Sequence, residues 1–295
     1  MRDRAEQQGV VDVSALYLPD ALGQPEESQC AVVEEDALTL DVEDVGHYTL
    51  MWTPTTKTSD ARGYTREDGL LGDGDQPENL ALAIGFALTE GLIANLDEIK
   101  SLSSCPDDPK VVRLQLNNPG AVIARRKDVV INSSCGICGP REILEDNALQ
   151  LEQVGGGLQL SRSAIAPLMQ KMAERQHIFQ QTGGSHAAAI FSPSGSLLVV
   201  AEDLGRHNAL DKAIGAVLLE RGNLENCGAV LSSRLSLEMV LKAVRANLQV
   251  MLAVSAPTSL AIEVANRFGV TLCGFVREDR ATVYTHPQRI IGSEA

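Results

Sequence analysis

The chain has 295 residues and a formal net charge of −14, and its charge is unevenly distributed. Residues 1–108 carry 23 acidic and 6 basic side chains, whereas residues 109–295 carry 16 acidic and 19 basic ones. The acidic first part argues against a polyanionic ligand there. The remainder leaves room for a phosphate-bearing ligand. The chain has only ten aromatic residues, which argues against stacking on single-stranded nucleic acid. It has no run of 18 apolar residues and no apolar core within residues 1–30, which argues against a membrane span and a signal peptide. The sequence therefore predicts a soluble, cytoplasmic protein.

The first part of the chain predicts mostly β structure. Residues 1–30 are polar and without a clear period, which predicts a flexible extension. From Ala37 to Met51 apolar and polar residues alternate around a gap at residues 44–46, which predicts a hairpin. Residues 54–78, rich in Gly, Asp and Thr, predict a long acidic surface loop, and a helix then begins near Pro77. Short strands are predicted at 111–116, 121–124 and 128–132.

The later part predicts strands and helices in alternation. A helix at 166–179 would place Leu168, Met172 and Phe179 on one side, and a hairpin follows at 187–201. The elements then predicted are helix 208–221, strand 228–232, helix 236–248, strand 250–254, helix 258–268, and strands 270–276 and 281–285. This alternation predicts an α/β layered fold with a mixed sheet. The predicted divisions are an extension (1–30), an N-terminal β-rich part (31–130) and the core (131–295).

The residues INSSCGICGP, 131–140, give the strongest chemical signal. Cys135 and Cys138 are each followed by glycine and come just after an apolar run that predicts a strand. Strand ends are where α/β proteins place reactive groups, and the glycines give a bulky partner access to the sulfur. Basic residues at 125–127 would favour the thiolate. The pair fits half of a metal site, a dithiol redox pair or a sulfur carrier, and it also fits two small buried apolar residues.

A zinc site would need further ligands. No second C-x-x-C motif occurs, and His186 is the best third ligand, with no fourth nearby in the sequence. Zinc deaminases carry H-x-E followed by P-C-x-x-C, but here the order is reversed and Ala188 stands where the Glu would be. No metal ligands are therefore assigned.

The segment AEDLGRHNALDKAIG, 201–215, offers acids, bases, an amide and cations between a strand and a helix. Asn208, Asp211 and Lys212 share one face of that helix by their spacing. These residue types fit a ligand site, and they equally fit a solvated helix start with ion pairs.

Two further helices begin with small hydroxyl residues, and the tail carries several arginines. Ser236 and Thr258 precede helices that follow strands, a position that suits phosphate groups as well as ordinary caps. Arg277, Arg280 and Arg289 surround the last predicted strand, and guanidinium groups bind phosphates in a bidentate manner.

Taken together, these segments resemble the formate dehydrogenase accessory sulfurtransferase family, FdhD. The resemblance covers most of the chain, with the segments in the same order. They are EGLI (90–93), SSCGICG (133–139), GGSHAAAI (183–190), EDLGRHNALDKAIG (202–215), SSRLSLEMVLKA (232–243), SAPTSLAIEVA (255–265) and GFVREDRATVYTHPQR (274–289).

The resemblance implies a function, a fold and a site. It implies a cytoplasmic, dimeric protein that receives persulfide sulfur from a cysteine desulfurase and passes it to the molybdenum cofactor (bis-molybdopterin guanine dinucleotide) required by formate dehydrogenase, with GDP as a cofactor analogue. It implies a three-layer α/β/α sandwich like that of cytidine deaminases. Cys135 maps to the persulfide carrier and Cys138 to the assisting thiol. The predicted cofactor contacts are Phe275, Val276, Arg277, Glu278, Asp279 and Arg280, with Asn208 and Lys212.

The chain departs from the family pattern at three places, and two other functions stay open. Residues 55–78 look like an insertion, Ser233 replaces a usual glycine, and Pro140 follows the cysteine motif. One alternative is a non-catalytic chaperone of the molybdenum cofactor, for which both cysteines would be dispensable. The other is a zinc hydrolase or deaminase using Cys135, Cys138 and His186.

Overall fold

The computed structural model describes residues 8–20, 23–56, 63–65, 67–71, 77–105, 107–121, 129–131, 151–278 and 280–292. Over these ranges the chain forms a mixed α/β structure with two large sheets, two two-stranded sheets and six α-helices. No helix within the described ranges has the length and apolar character needed to cross a membrane.

The chain begins with a hairpin that the sequence did not predict. Strands β1 (Val10–Tyr17) and β2 (Glu26–Val33) pair antiparallel, from Val10 opposite Val33 to Tyr17 opposite Glu26. Side chains on both faces of this hairpin are exposed or half-buried. The alternation of apolar and polar residues that reveals a half-buried strand is therefore weak here. This explains why residues 1–30 read as an extension without secondary structure.

A seven-stranded mixed sheet follows. Its strands are β3 (Asp36–Val42), β4 (Gly46–Trp52), β5 (Gly63–Thr65), β6 (Gly69–Leu71), β7 (Ile99–Ser104), β8 (Val111–Leu116) and β9 (Val129–Ile131), in the order β6-β5-β7-β8-β3-β4-β9. The predicted hairpin is confirmed as β3 and β4, with Asp44 in the left-handed region at φ 61°. The predicted loop at 54–78 is corrected: it contains β5 and β6, each too short to show a period.

The helices before the second sheet are α1 (Glu78–Thr89), α2 (Arg162–Glu174) and α3 (His177–Thr182). The prediction of one helix at 166–179 is wrong, because the helix is interrupted between α2 and α3. The Glu202 carboxylate accepts hydrogen bonds from the backbone N–H groups of Ile178 and Phe179, each at 2.9 Å, and so caps α3. Phe179, in α3, is 47% exposed, whereas Leu168 and Met172 of α2 are buried, so the three side chains do not share one side.

The remaining elements form the second large sheet and its helices. In chain order they are β10 (Leu160–Ser161), β11 (His186–Phe191), β12 (Leu197–Asp203), α4 (Arg206–Arg221), β13 (Gly228–Leu231), α5 (Leu237–Arg245), β14 (Val250–Ala253), α6 (Ser259–Phe268), β15 (Thr271–Gly274), β16 (Thr282–Val283) and β17 (Ile290–Ile291). The six-stranded order is β12-β11-β13-β14-β15-β16, and β10 pairs with β17 separately. The predicted alternation is confirmed, including the Thr258 cap and the stop of α6 at Gly269.

Helices cover both faces of the six-stranded sheet. Along β11, Ala188 and Ile190 join a core that includes side chains of α1, α4, α5 and α6. Ala187 and Phe191 point to the other face, where they join a core with Leu168 and other residues of α2. The α/β class is therefore confirmed, while the specific likeness to cytidine deaminases stays a prediction.

Helices α1 and α4 join the two large sheets through a close backbone contact. A Cβ atom placed on Gly85 of α1 would lie 1.8 Å from the Asp211 carbonyl oxygen. A Cβ atom on Gly215 of α4 would lie 1.8 Å from the Ala81 carbonyl oxygen. Only glycine allows so close an approach at both positions. The side chains of the seven-stranded sheet and of α1 and α4 belong to one continuous core.

Candidate functional site

Four strands of the six-stranded sheet end at one edge. Strand β11 is antiparallel to both of its neighbours, and β13, β14 and β15 are parallel, so β12, β13, β14 and β15 all run in one direction. Helices α4, α5 and α6 begin within a few residues of the ends of β12, β13 and β14. Their amino ends, which favour anions, therefore lie at this edge. We call it the carboxyl edge; it comprises His186, residues 203–207, 232–238, 254–258 and 275–277.

Backbone hydrogen bonds connect the three loops of the carboxyl edge. Leu235 N–H donates to the Ala256 carbonyl at 3.2 Å, and Thr258 N–H donates to the Leu235 carbonyl at 2.9 Å. Phe275 N–H donates to the Ser255 carbonyl at 3.3 Å. The loops after β13, β14 and β15 therefore form one continuous surface.

Phe275 and Arg277 of the predicted cofactor segment lie on this surface, and Glu278 and Arg280 follow it in the chain. Phe275 has a left-handed backbone, φ 52°, and its side chain is 45% exposed. Arg277 is exposed and donates from Nη1 to the Val254 carbonyl at 2.7 Å, while Glu278 and Arg280 are also exposed. Val276 is buried, so its side chain is part of the core rather than the surface. Asp279 lies outside the described residues.

The predicted cofactor residue Lys212 is buried, and its ammonium group is already fully engaged. Its Nζ atom lies 2.8 Å from an Asp203 oxygen, 2.9 Å from a Glu78 oxygen, 2.6 Å from the Thr53 carbonyl and 3.1 Å from the Glu202 carbonyl. Burial alone would lower the pKa of Lys212, but the Asp203 and Glu78 carboxylates outweigh it and hold that pKa above its ordinary value. An ammonium group has three donors, so the arrangement favours a structural role.

Asn208 is also buried and makes internal contacts. Its amide nitrogen donates to the Met51 carbonyl at 2.7 Å and contacts an Asp203 oxygen at 3.2 Å. Asn208 and Lys212 thus hold the start of α4 against the end of β4. A direct ligand contact by either residue stays a prediction, and this geometry does not support it for Lys212.

A cluster of basic side chains lies at the same edge. His207 Nε2 is 2.9 Å from a Glu238 oxygen, and Arg206 Nη2 is 3.9 Å from the same oxygen. His186 Nδ1 lies 3.4 Å from Ser232 Oγ. Burial, and next the charges of Arg206 and His207, lower the pKa of His186. The sequence grouped Arg206 and His207, but the pairing with Glu238 and His186 depends on the fold.

The two cysteines predicted to be catalytic, Cys135 and Cys138, lie outside the described residues. The chain before them is described through Ile131, which pairs with Leu50 in the parallel ladder of β9 and β4. Three residues beyond Leu50, Thr53 N–H donates to Asp203 at 3.0 Å, and Thr53 Oγ1 accepts from Leu204 N–H at 3.1 Å. The strand before the cysteine pair therefore ends beside residues that contact the carboxyl edge.

The other four cysteines differ in exposure and in thiol acidity. Cys30 is exposed, Cys105 is half-buried, and Cys227 and Cys273 are buried. Burial raises the pKa of the Cys227 thiol, and it raises that of Cys273 to about 12. Because the thiolate is the nucleophile in sulfur chemistry, both buried cysteines are poor carriers.

The zinc alternative has no support among the described residues. No three His, Cys, Asp or Glu side chains in these ranges come together in a way that could hold a metal ion. Because Cys135 and Cys138 are not described, their combination with His186 is left untested.

Comparison with known proteins gives one consistent result. The family model described as the FdhD/NarQ family matches residues 76–291. A relative from Sulfurisphaera tokodaii, named sulfur carrier protein FdhD, is 42% identical over 211 residues, which cover 71% of this chain and 79% of the relative. A protein of the same name from Bordetella bronchiseptica is 36% identical over 263 residues, 88% of this chain and 87% of the relative.

A solved structure shows the same fold. It is the crystal structure of a proposed formate dehydrogenase accessory protein from Desulfotalea psychrophila, with a TM-score of 0.71 and 22% sequence identity. The match covers 96% of this chain and 99% of that one. The family model and the two curated relatives, together with this fold, show that the chain belongs to the FdhD/NarQ family.

Proposed function

We propose that this chain is a sulfur carrier for formate dehydrogenase. Cys135 receives sulfur as a persulfide from a cysteine desulfurase, and the sulfur then passes to the molybdenum cofactor, bis-molybdopterin guanine dinucleotide. The names of the curated relatives support the carrier role. The desulfurase, the cofactor and the homodimer rest on the resemblance of the sequence motifs to those of the family.

The observation that carries this proposal is the position of Ile131. This residue ends β9 beside β4, and the residues that follow in β4 and after it contact the end of β12 and the start of α4. The last described residue before Cys135 therefore pairs with a strand whose next residues contact the carboxyl edge, which supports the proposal. A sulfur carrier needs its thiol to lie within reach of the surface that binds the cofactor.

Sulfur is loaded onto Cys135 by an exchange between a thiol and a persulfide, which follows the chemistry of thiol–disulfide exchange. The Cys135 thiolate attacks the outer sulfur of the desulfurase persulfide, and the new sulfur–sulfur bond forms as the old one breaks. The desulfurase cysteine leaves as a thiolate, so no net oxidation occurs. Cys138 is the assisting thiol in this proposal.

The carboxyl edge and the residues that follow it at 278–280 carry side chains that suit a guanine dinucleotide. The exposed Phe275 ring offers a face for a base, and the guanidinium groups of Arg277 and Arg280 suit phosphates. The amino ends of α4, α5 and α6 add favourable dipoles for anions. Lys212 and Asn208 hold this arrangement in place through their internal contacts.

The test replaces single cysteines and measures sulfur on the protein. After incubation with a purified cysteine desulfurase and cysteine, mass spectrometry should find an added mass of about 32 Da, one sulfur atom, on Cys135. The Cys135→Ala variant should lack it and should leave formate dehydrogenase inactive in cells that carry no other copy. Cys30→Ala, at an exposed thiol, is the matched control and should behave as wild type.

Two outcomes would decide against sulfur transfer. Full formate dehydrogenase activity with Cys135→Ala would overturn it. If Arg277→Ala and Arg280→Ala abolished activity while both cysteines were dispensable, the non-catalytic cofactor chaperone would be the better description.

A further inference from the structure

The first hairpin forms an arm that is anchored at its base. We call strands β1 and β2 the arm. At the base, Glu34 N–H donates to the Gly9 carbonyl at 2.9 Å, and the Glu34 carbonyl accepts from Thr53 Oγ1 at 2.9 Å. A Cβ atom placed on Gly9 would lie 2.7 Å from Ile178 Cδ1, so this end of the arm packs tightly against α3. Within the described ranges no third strand pairs with the arm, and a hairpin that stands alone is only marginally stable in water.

The two faces of the arm have different surroundings. Side chains alternate along each strand, and residues opposite each other in the register share a face. The face that carries Val33 is turned toward the rest of the protein, because a Cβ atom on Gly184 would lie only 2.9 Å from Val33 Cγ1. The other face comprises residues 11, 13, 15 and 17 of β1 and residues 26, 28, 30 and 32 of β2, and we call it the outer face.

The outer face is largely apolar and exposed. Val11, Val13 and Val32 are 43%, 38% and 38% exposed, and Tyr17 at the far end is 59% exposed. Cys30, which is also exposed, lies opposite Val13. A strand face in contact with water is ordinarily polar, and exposed apolar patches mark interaction sites. The outer face therefore fits the surface of a partner.

The charge of the arm restricts which partner can bind there. Residues 10–35 contain six Asp or Glu residues and no Lys, Arg or His. The exposed ones are Asp12, Asp20, Glu26, Glu27 and Glu35. A second copy that bound through its own arm would bring the same carboxylates together, and like charges at an interface are unfavourable. A partner whose apolar patch is bordered by lysine or arginine would match both the valines and the carboxylates.

The base of the arm adjoins the strand that pairs with the start of the cysteine segment. Thr53, which bonds to the arm at Glu34, follows Leu50 by three residues, about 10 Å of extended chain. Leu50 pairs with Ile131, the last described residue before Cys135. A protein held on the arm would therefore lie close to the start of that segment. Under the proposed function the sulfur donor is the partner that must reach Cys135 itself, because its persulfide exchanges with that thiolate.

We propose that the outer face of the arm is the docking surface for the sulfur donor, a protein with an apolar patch bordered by basic residues. The apolar contact supplies affinity, and the carboxylates around it attract the basic border and set the orientation. The inference rests on the proposed function in one respect, because the sulfur donor is taken from it. The arm precedes residues 76–291, so this surface lies outside the segment that the family model matches.

The test places the same charge on either face of the arm. Val13→Lys and Val32→Lys change the outer face, and Leu16→Lys is the matched control, since Leu16 is 59% exposed on the opposite face. Lysine is common on exposed edge strands, so all three variants should keep the hairpin. Isothermal titration measures binding of the full chain to a purified cysteine desulfurase at low and high salt, and mass spectrometry measures persulfide loading of Cys135. Circular dichroism and urea midpoints establish that each variant is folded.

The expected result is a loss of binding confined to the outer face. Val13→Lys and Val32→Lys should each weaken desulfurase binding by about tenfold or more, because each places a charge at an apolar contact that faces a basic border. Leu16→Lys should bind within about twofold of wild type. Wild-type binding should weaken as the salt concentration rises. Since Cys135 is intact, loading of Val13→Lys should reach the wild-type rate at high desulfurase concentration, so KM for the desulfurase rises while the maximal rate is unchanged.

Cys30 provides a second measurement on the unaltered protein. Its thiol lies on the outer face, so bound desulfurase should slow its modification by iodoacetamide, measured by mass spectrometry. The protection should be absent in Val13→Lys at the same desulfurase concentration. Cys30→Ala keeps the outer face apolar and should bind as wild type does.

The outcomes separate this inference from the proposed function. If Val13→Lys and Val32→Lys bind the desulfurase as wild type does, or if Leu16→Lys loses as much binding as they do, docking on the outer face is refuted even when Cys135 carries sulfur. If wild type does not bind the desulfurase, docking is refuted as well. If size-exclusion chromatography shows that Val13→Lys separates a dimer while desulfurase binding is intact, a second copy covers the outer face and the inference is wrong. If desulfurase binding depends on the outer face but Cys135 takes up no sulfur, the docking surface stands and the sulfur-carrier proposal fails.

Discussion

The contact between α1 and α4 makes a quantitative prediction about Gly215. In Gly215→Ala the new Cβ atom would start 1.8 Å from the Ala81 carbonyl oxygen, and ordinary contact begins at 3.4 Å. The obstructing atom belongs to a helix backbone, so the side chain cannot rotate away. The two helices must separate by about 1.6 Å, the difference between those distances.

The free energy of unfolding should fall as a result. Overpacking of this kind costs about 3 kcal/mol or more, at the upper end of the usual range, because backbone must move. The higher helix propensity of alanine offsets about 1 kcal/mol of that cost. We therefore expect a net loss of about 2 kcal/mol or more, seen as a lower urea midpoint with an unchanged slope.

A matched glycine makes the comparison strict. At Gly156 a Cβ atom would meet nothing within 4 Å, so Gly156→Ala should leave the urea midpoint unchanged or slightly higher. If Gly215→Ala unfolds at the same urea concentration as wild type, or a higher one, then the close backbone contact of α1 and α4 does not exist in solution.

Two other predictions concern buried groups outside the glycine contact. Lys212→Met should lose about 3–5 kcal/mol of stability, because it leaves Asp203 buried without its partner, whereas Lys171→Met on the exposed part of α2 should lose little. Because the pKa of Lys212 is raised in the folded protein, its contribution to the free energy of unfolding should be complete below about pH 10 and should be lost as the pH rises further. The urea midpoints of wild type and Lys212→Met should therefore approach each other above that pH. A difference between the two midpoints that stays the same at every pH up to about 11 would contradict this. In native protein at pH 8, iodoacetamide should modify Cys30 and spare Cys273, whose thiol pKa is about 12; equal modification rates measured by mass spectrometry would show that Cys273 is not buried.

Elements with local signals could be predicted from the sequence. The β3–β4 hairpin follows from alternation around a short turn, and α6 has both its cap, Thr258, and its stop, Gly269, within the segment itself. The break between α2 and α3 could not be predicted in this way, because its cap is Glu202, more than twenty residues later in the chain. The sequence near residue 176 contains no equivalent signal.

The candidate site shows the same division. Helical spacing predicts that Asn208, Asp211 and Lys212 share one face of α4, but the pattern could not show which residues they contact. Lys212 meets Glu78 of α1, and Asp211 meets Lys242 of α5 at 2.8 Å. Charged residues on one face of a helix fit a bound ligand and an internal ion-pair partner equally well, so the pattern does not distinguish the two. Only the fold, which brings α1 against α4, shows that the partners are internal.

The glycine contact also has a consequence for the segment that contains Cys135. That stretch of chain starts at Ile131, in the seven-stranded sheet, and ends at Leu151, which packs against the core near α6. Since α1 and α4 touch through their backbones, the two sheets cannot shift apart without breaking that contact. The close contact at these two glycines therefore limits how far the elements that hold the two ends of the cysteine segment can move apart. Under the proposed function, Gly215→Ala should therefore lower the persulfide loading of Cys135, although it changes no chemical group of the proposed site.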